Sequence, residues 1–175
     1  MSARMRRMMS LSGVPKRFLS AAPGDFDTGV HLDRSLFLTG PVGTGKTHYL
    51  CAVINGMKSR RAATGCLFVS VVDLLARVRA CYSPGPDQES EQEIVRRYSE
   101  VDVLCLDDLG AAKSTDWAVQ VLCQIIDFRY REEKLTVISS NLSLAEIDKQ
   151  IDARIASRIA GMCELLALEG ADRRI

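Results

Sequence analysis

The chain has 175 residues, room for one domain with a sizeable core and too few for two full-sized ones. Its 47% hydrophobic and 26% charged residues match a soluble globular protein and exclude a chain disordered throughout. A formal net charge of +1 excludes a global basic field, so any contact with nucleic acid must come from local patches.

Six cysteines are present without a CxxC pair, and Cys51, Cys66, Cys105 and Cys123 lie within apolar runs. A disulfide framework or zinc site needs clustered spacing, so reduced, buried thiols in a cytoplasmic protein are expected. No uninterrupted apolar stretch approaches membrane-spanning length, and no membrane partner is expected. The first residues are basic and free of acids, with Arg4, Arg6 and Arg7 followed by Lys16 and Arg17. They lack the apolar core of a secretory signal. An organelle transit peptide shares this composition, but a flexible basic arm over residues 1–12, leading into one domain over 13–175, is the plainer account.

Pro15 to Thr28 reads as irregular structure with a turn at Pro23-Gly24-Asp25. Ser35 to Thr39 is a short buried strand running straight into a glycine loop, and Thr47 to Lys58 follows as a helix. Cys66 to Val71 is a second strand, followed by a helix from about Asp73 to Tyr82. Ser90 with Glu93 forms a capping box that opens another helix. Val101 to Leu106 is a third strand, Asp116 to Tyr130 a helix, and Leu135 to Ser139 a fourth strand. A second capping box, Ser143 with Glu146, opens one helix expected to bury Leu144, Ile147, Ile151, Ile155 and Ile159. Leu165 to Leu168 is the last strand candidate. Nearly all-apolar strands alternating with helices imply a parallel sheet covered on both faces, a three-layer α/β domain.

The loop Gly40-Pro41-Val42-Gly43-Thr44-Gly45-Lys46-Thr47 fits the pattern G-x-x-x-x-G-K-[ST]. Its glycines let backbone N–H groups curl around phosphates, and the following helix adds its positive end. Lys46 is placed to reach the β- and γ-phosphates and the Thr47 hydroxyl to hold Mg²⁺, so ATP or a close relative is the expected ligand. A chance match in this length has odds of roughly half a per cent, and the required strand and helix flank the loop. Val103 to Leu106 is apolar and ends in Asp107 and Asp108, which the carboxyl-end rule of open sheets puts beside the phosphate loop. Asp107 fits the magnesium position and Asp108 the general base, although an Asp pair before Leu109-Gly110 also makes an ordinary turn. Asn141 ends another strand and either reaches the γ-phosphate and attacking water or merely belongs to the Asn-Leu-Ser turn. Arg154 and Arg158 are four apart on one helix face, which suits an arginine finger and equally a solvated basic face.

The whole pattern resembles the DnaC-type helicase loaders and IstB-type transposition helper ATPases, a branch of the AAA+ superfamily. The likeness runs from Gly13-Val14-Pro15-Lys16-Arg17-Phe18 through the phosphate loop and Val103 to Gly110, to Ile125-Ile126-Asp127-Phe128-Arg129-Tyr130 and Ser140-Asn141-Leu142. It continues through Ile155-Ala156-Ser157-Arg158-Ile159 to Gly170-x-Asp172-x-Arg174. The resemblance implies a P-loop AAA+ core in which Asn141 is sensor 1, Arg158 the finger and Arg174 a further residue near the nucleotide. With the loop it carries His48 into the nucleotide-binding set.

It also implies a homo-oligomeric ring or spiral, a helicase or transposase partner, and single- or double-stranded DNA contacts, with Arg77, Arg79, Arg96 and Arg97 as candidates. Family members carry an N-terminal partner-binding domain, and larger AAA+ proteins a helical lid; this sequence is expected to have little or no lid. The expected activity is slow ATP hydrolysis, stimulated by partner or oligomer. A small-molecule P-loop kinase and an ATP-gated binding module with little turnover remain the alternatives, the latter because Asp108 stands where many AAA+ proteins carry glutamate.

Overall fold

The structure is a computed structural model that describes residues 12–26, 30–31, 33–59, 65–82 and 89–170. Its strands are β1 (Leu36–Thr39), β2 (Cys66–Ser70), β3 (Val103–Leu109), β4 (Leu135–Ser140) and β5 (Glu164–Ala167). They form one parallel sheet in the order β2-β3-β4-β1-β5. Because side chains alternate along a strand, each strand feeds two separate cores. Leu36, Leu38, Val103, Cys105 and Val137 face one side. Phe37, Leu104, Leu106 and Ile138 face the other.

Helix α1 (Lys46–Ser59) covers the first side, with Leu50, Cys51, Val53 and Ile54 fully buried against it. Val14, Ala21 and Phe26 of the lead-in segment complete that layer, and Asn55 ties the lead-in to α1 by donating to the carbonyls of Phe18 and Ala21. At Gly13 the backbone φ is +81° and a side chain would meet the Phe68 carbonyl, because Phe68 donates its N–H to Ser12 O at 2.7 Å. Ser12 is therefore buried against β2. Residues 1–11, on which most of the expected arm falls, lie outside the described residues.

The second side carries α2 (Val71–Ala80), α3 (Glu91–Glu100), α4 (Asp116–Arg131), α5 (Leu144–Gln150) and α6 (Ala153–Met162). The two capping boxes form as read: the Ser90 and Ser143 hydroxyls accept from Glu93 N and Glu146 N, and each glutamate accepts from the serine N–H.

Three elements differ from the sequence reading by more than one residue. Helix α2 starts at Val71 directly after β2, because the Ser70 hydroxyl caps it through Asp73 N. Val101 closes α3 rather than opening β3, and β3 runs on to Leu109. The single helix expected after Ser143 is two helices, since Asp152 takes an extended conformation and its carboxylate accepts from Arg154 N and Ile155 N. A new N-cap there resets the helix axis, so Ile147, Ile155 and Ile159 are fully buried while Leu144 and Ile151 are only half-buried.

The six cysteines are free. Burial pushes the Cys105 and Cys51 thiols up strongly and Cys163 to about 12. Among the described residues no helix is long and apolar enough to cross a membrane.

Arg129 of α4 is fully buried. Its guanidinium donates to the carbonyls of Tyr98, Ser99 and Val101, to Leu135 O, and to the Thr136 hydroxyl at 2.6–3.1 Å. It thus joins the end of α3 and the start of β4 to α4: Nη1 serves three carbonyls with its two hydrogens, while Nε and Nη2 take one acceptor each. Burial lowers its pKa to about 10, which leaves the cation intact at neutral pH. Arg129→Met should cost about 3 kcal/mol or more, because it strands several buried carbonyls without donors. Urea unfolding of the variant checks this, and a midpoint like that of the parent would refute the joint.

Candidate nucleotide site

β4 lies between β1 and β3, so the carboxyl ends of these strands converge on one cavity of about 430 Å³. Val42, Gly43, Gly45, Lys46, Thr47 and His48 line it from the loop and α1. Asp107, Asp108, Ser139 and Asn141 line it from β3 and β4, and Arg17 and Phe18 from the lead-in.

The loop holds itself open through its own backbone. Gly43 and Gly45 take φ of +87° and +96°. At Gly40, φ is +147° and a side chain would collide with Leu168 O, where β5 continues past the end of β1. The Thr44 hydroxyl donates to Pro41 O at 2.9 Å. Lys46, almost fully buried, donates from Nζ to Gly40 O at 2.6 Å and Pro41 O at 2.7 Å, which keeps the cation inside the loop.

On the acidic side, Thr47 Oγ1 donates to Asp107, 3.0 Å from Oδ2 and 3.2 Å from Oδ1. Ser139 Oγ donates to Asp107 Oδ1 at 2.5 Å and accepts from the Asp108 N–H at 2.9 Å. One buried hydroxyl therefore fixes both acids. Burial pushes the Asp107 carboxyl above its ordinary value; the Ser139 and Thr47 hydroxyls oppose that shift, and the neighbouring Asp108 charge adds to it.

Asp108 has φ of +59°, left-handed for a non-glycine residue, where the pairing of β3 with β4 slips between Leu106 and Leu109. This bulge turns Asp108 away from the ordinary alternation. Asn141 Nδ2 then donates to its Oδ1 at 3.1 Å.

His48 Nε2 lies 2.6 Å from Asp25 Oδ2, with the rings of Phe18 and Phe26 at 5.8 Å and 5.5 Å. The Ala22 N–H and then His48 hold the Asp25 carboxyl below its ordinary value.

The structure therefore brings together the loop, His48, Asp107, Asp108 and Asn141. Arg158 is elsewhere: it lies on α6, where Nε donates to Asp127 Oδ1 at 2.8 Å and the guanidinium sits 4.8 Å over the Tyr130 ring. Arg154 folds back onto its own cap, Asp152. Arg174 lies outside the described residues. Ser139 went unread as a site residue, as did Arg17 and Phe18 within the lead-in motif. The only signal for Ser139 was a polar residue near the end of an otherwise apolar strand.

The four candidate DNA arginines do not share one environment. Arg77 donates to Tyr98 OH at 3.0 Å, Arg79 covers Trp117, Arg97 pairs with Glu89, and Arg96 lines a groove between α3 and α4.

Thr47 and Asp107 offer Mg²⁺ the hard oxygen donors it prefers.

A strand leading to a glycine loop, an acidic pair on the third strand and a polar residue ending the strand between them define a P-loop nucleotide site of the AAA+ kind. Residues 25–174 match the IstB-like ATP binding protein family, and the chain belongs to it. It is 28% identical over 189 residues to the uncharacterized protein YqaM of Bacillus subtilis strain 168, across 91% of this chain and 58% of that one. It is 25% identical over 125 residues to the replicative helicase loader DnaC of Escherichia coli strain K12, across 71% of this chain and 49% of DnaC. The chain thus spans about half the length of these curated relatives. The crystal structure of the DnaC helicase loader superimposes with a TM-score of 0.74 at 24% identity, covering 89% of this chain and 100% of that one, which shows the shared fold.

Ser139→Ala should destabilise the protein by about 1–3 kcal/mol, since the Asp108 N–H and a partly desolvated Asp107 lose their shared partner. Chemical denaturation of the alanine variant beside Ser139→Thr, which keeps the hydroxyl, tests this; equal stabilities of alanine variant and parent would count against it.

Proposed function

We propose that this chain hydrolyses ATP to ADP and phosphate as an AAA+ protein of the helicase loader and transposition helper type, acting with DNA on a helicase or transposase partner. The observation that carries the hydrolytic reading is the Asp108–Asn141 pair, with the acid turned by the bulge into the cavity that holds Lys46 and Thr47. A carboxylate fixed there by an amide donor is placed to orient a water and take its proton. The displaced phosphate charge falls to Lys46 and the loop amides. Magnesium, held by Thr47 and Asp107, would supply charge neutralisation at the phosphate oxygens.

Asn141 has a double task, holding Asp108 and meeting the γ-phosphate. His48, packed between Phe18 and Phe26, walls the cavity beside Arg17 and Phe18, where the base end of the nucleotide fits. Arg174 is assigned near the nucleotide from the family pattern alone. Arg158 does not line the cavity of its own chain, which favours action on ATP held by a neighbouring copy in a ring or spiral.

Asp108→Asn should lower turnover by roughly a hundredfold or more while ATP still binds. Phosphate release measured without any acceptor, beside binding of a fluorescent ATP analogue, tests this. Unchanged turnover would refute the assignment, and phosphate transfer only in the presence of an acceptor would favour a kinase.

The DNA partner is supported by a cluster beside α2 and α4 in which Tyr82 is exposed and Trp117 partly buried. Trp117 Nε1 donates to Tyr82 OH at 3.0 Å, their rings meet edge to face, and Arg79 lies 5.0 Å over Trp117. Tyr82 is 60% exposed. Aromatic faces capped by a guanidinium suit stacking of unpaired bases. Trp117→Ala should weaken single-stranded oligonucleotide binding by about 1–3 kcal/mol and leave ATP binding unchanged, as read by fluorescence anisotropy. Equal affinity of variant and parent would remove this support.

A further inference from the structure

Arg158 is gripped from two directions by one helix. Asp127 and Tyr130 are three residues apart on α4 and so share a face, which meets α6 at Arg158. The Asp127 carboxylate takes the Nε edge of the guanidinium at 2.8 Å, and the Tyr130 ring underlies its plane at 4.8 Å.

Gly161, one turn further along α6, makes room for this. A Cβ there would stand 3.0 Å from Tyr130 Cε2, a tight approach that would push on the ring beneath the arginine. Asp127 is also shared: its second oxygen takes Arg131 Nε at 3.2 Å. One carboxylate between two guanidiniums leaves the group with a net positive charge. Among the described residues the terminal nitrogens of Arg158 have no hydrogen-bond partner, and the side chain is 42% exposed. Arg154, on the same helix, has its charge matched by Asp152. A cation held by its Nε edge and one face, with its terminal edge outward, is mounted to meet an anion beyond its own chain.

We infer that Asp127 and Tyr130 are positioning residues that aim Arg158 at a phosphate held by a second copy of the chain. The inference rests on the ATPase reading and adds to it the part of α4 that makes one subunit competent to serve the next.

Mixed subunits test it. Arg158→Ala chains keep their own Asp108, and Asp108→Asn chains keep their own Arg158. Mixed at concentrations that support assembly, they should regain turnover about tenfold or more above either alone. Asp108→Asn chains that also carry Asp127→Asn, which keeps the side-chain shape, or Tyr130→Leu, should lose most of that rescue, whereas Tyr130→Phe should keep it. All of these chains should bind a fluorescent ATP analogue as the parent does. Because their own hydrolysis is already silenced, they are scored only on what they supply to a neighbour. Equal rescue by the Asp127→Asn and Tyr130→Leu chains would overturn the inference and leave the ATPase reading standing. No rescue by Asp108→Asn alone would overturn the action between subunits, and the inference with it. Full turnover by Asp108→Asn chains on their own would instead remove the ATPase reading beneath both.

Discussion

A strand placed between two parallel neighbours brings its carboxyl end level with theirs, and β4 does this between β1 and β3. Leu38 stands beside Ser139 and Thr39 beside Ser140, while the slipped pairing with β3 brings Leu109 to Ser140. The loop leaving β1, the acids of β3 and the polar end of β4 are thereby held within hydrogen-bond reach. Without that order, Ser139 could not touch Asp107, nor Asn141 touch Asp108. The cavity is a product of topology before it is a product of any side chain.

Two hydroxyls and an amide then make the arrangement specific. Thr47 and Ser139 grip Asp107 from β1's side and from β4, so two neutral hydroxyls hold a buried acid in place. Ser139 also takes the Asp108 N–H, which an ordinary β3 ladder would have spent on a backbone carbonyl. The bulge survives because this donor is satisfied. Strain at Asp108 is thus maintained by a bond made 31 residues away in sequence.

Local signals carried much of this in the sequence. The phosphate loop, both capping boxes and the alternation of strands with helices depend on neighbouring residues and are found where the sequence puts them, with shifted ends at β2 and β3. The misreadings are of two kinds. At Asp152 an isoleucine repeat continued across a helix break, and the periodic signal outweighed a cap whose donors lie only two and three residues ahead. The roles of Ser139, the bulge and Arg129 are not written in their neighbours, because each takes its meaning from a strand or helix distant in the chain. Arg129 in particular looks like any solvent-facing helix charge until α3 and β4 bring their carbonyls to it. Spacing alone leaves Arg154 and Arg158 equivalent, and the resemblance points to Arg158; the different holds on them, Asp152 on Arg154 and Asp127 on Arg158, are visible only in the fold.

The buried thiols bear on the same architecture. Cys51 belongs to α1, which carries Lys46 and Thr47, and Cys105 belongs to β3, which carries Asp107; the Cys105 thiol donates to Leu50 O across the seam. Both are fully buried, with ionisation pushed far above neutral pH. An alkylating reagent can therefore reach them only while α1 parts from the sheet, so their modification rate is a chemical clock for the breathing of that seam. A ligand that bridges Lys46 and Asp107 would span the same seam from its open end, and would slow the clock.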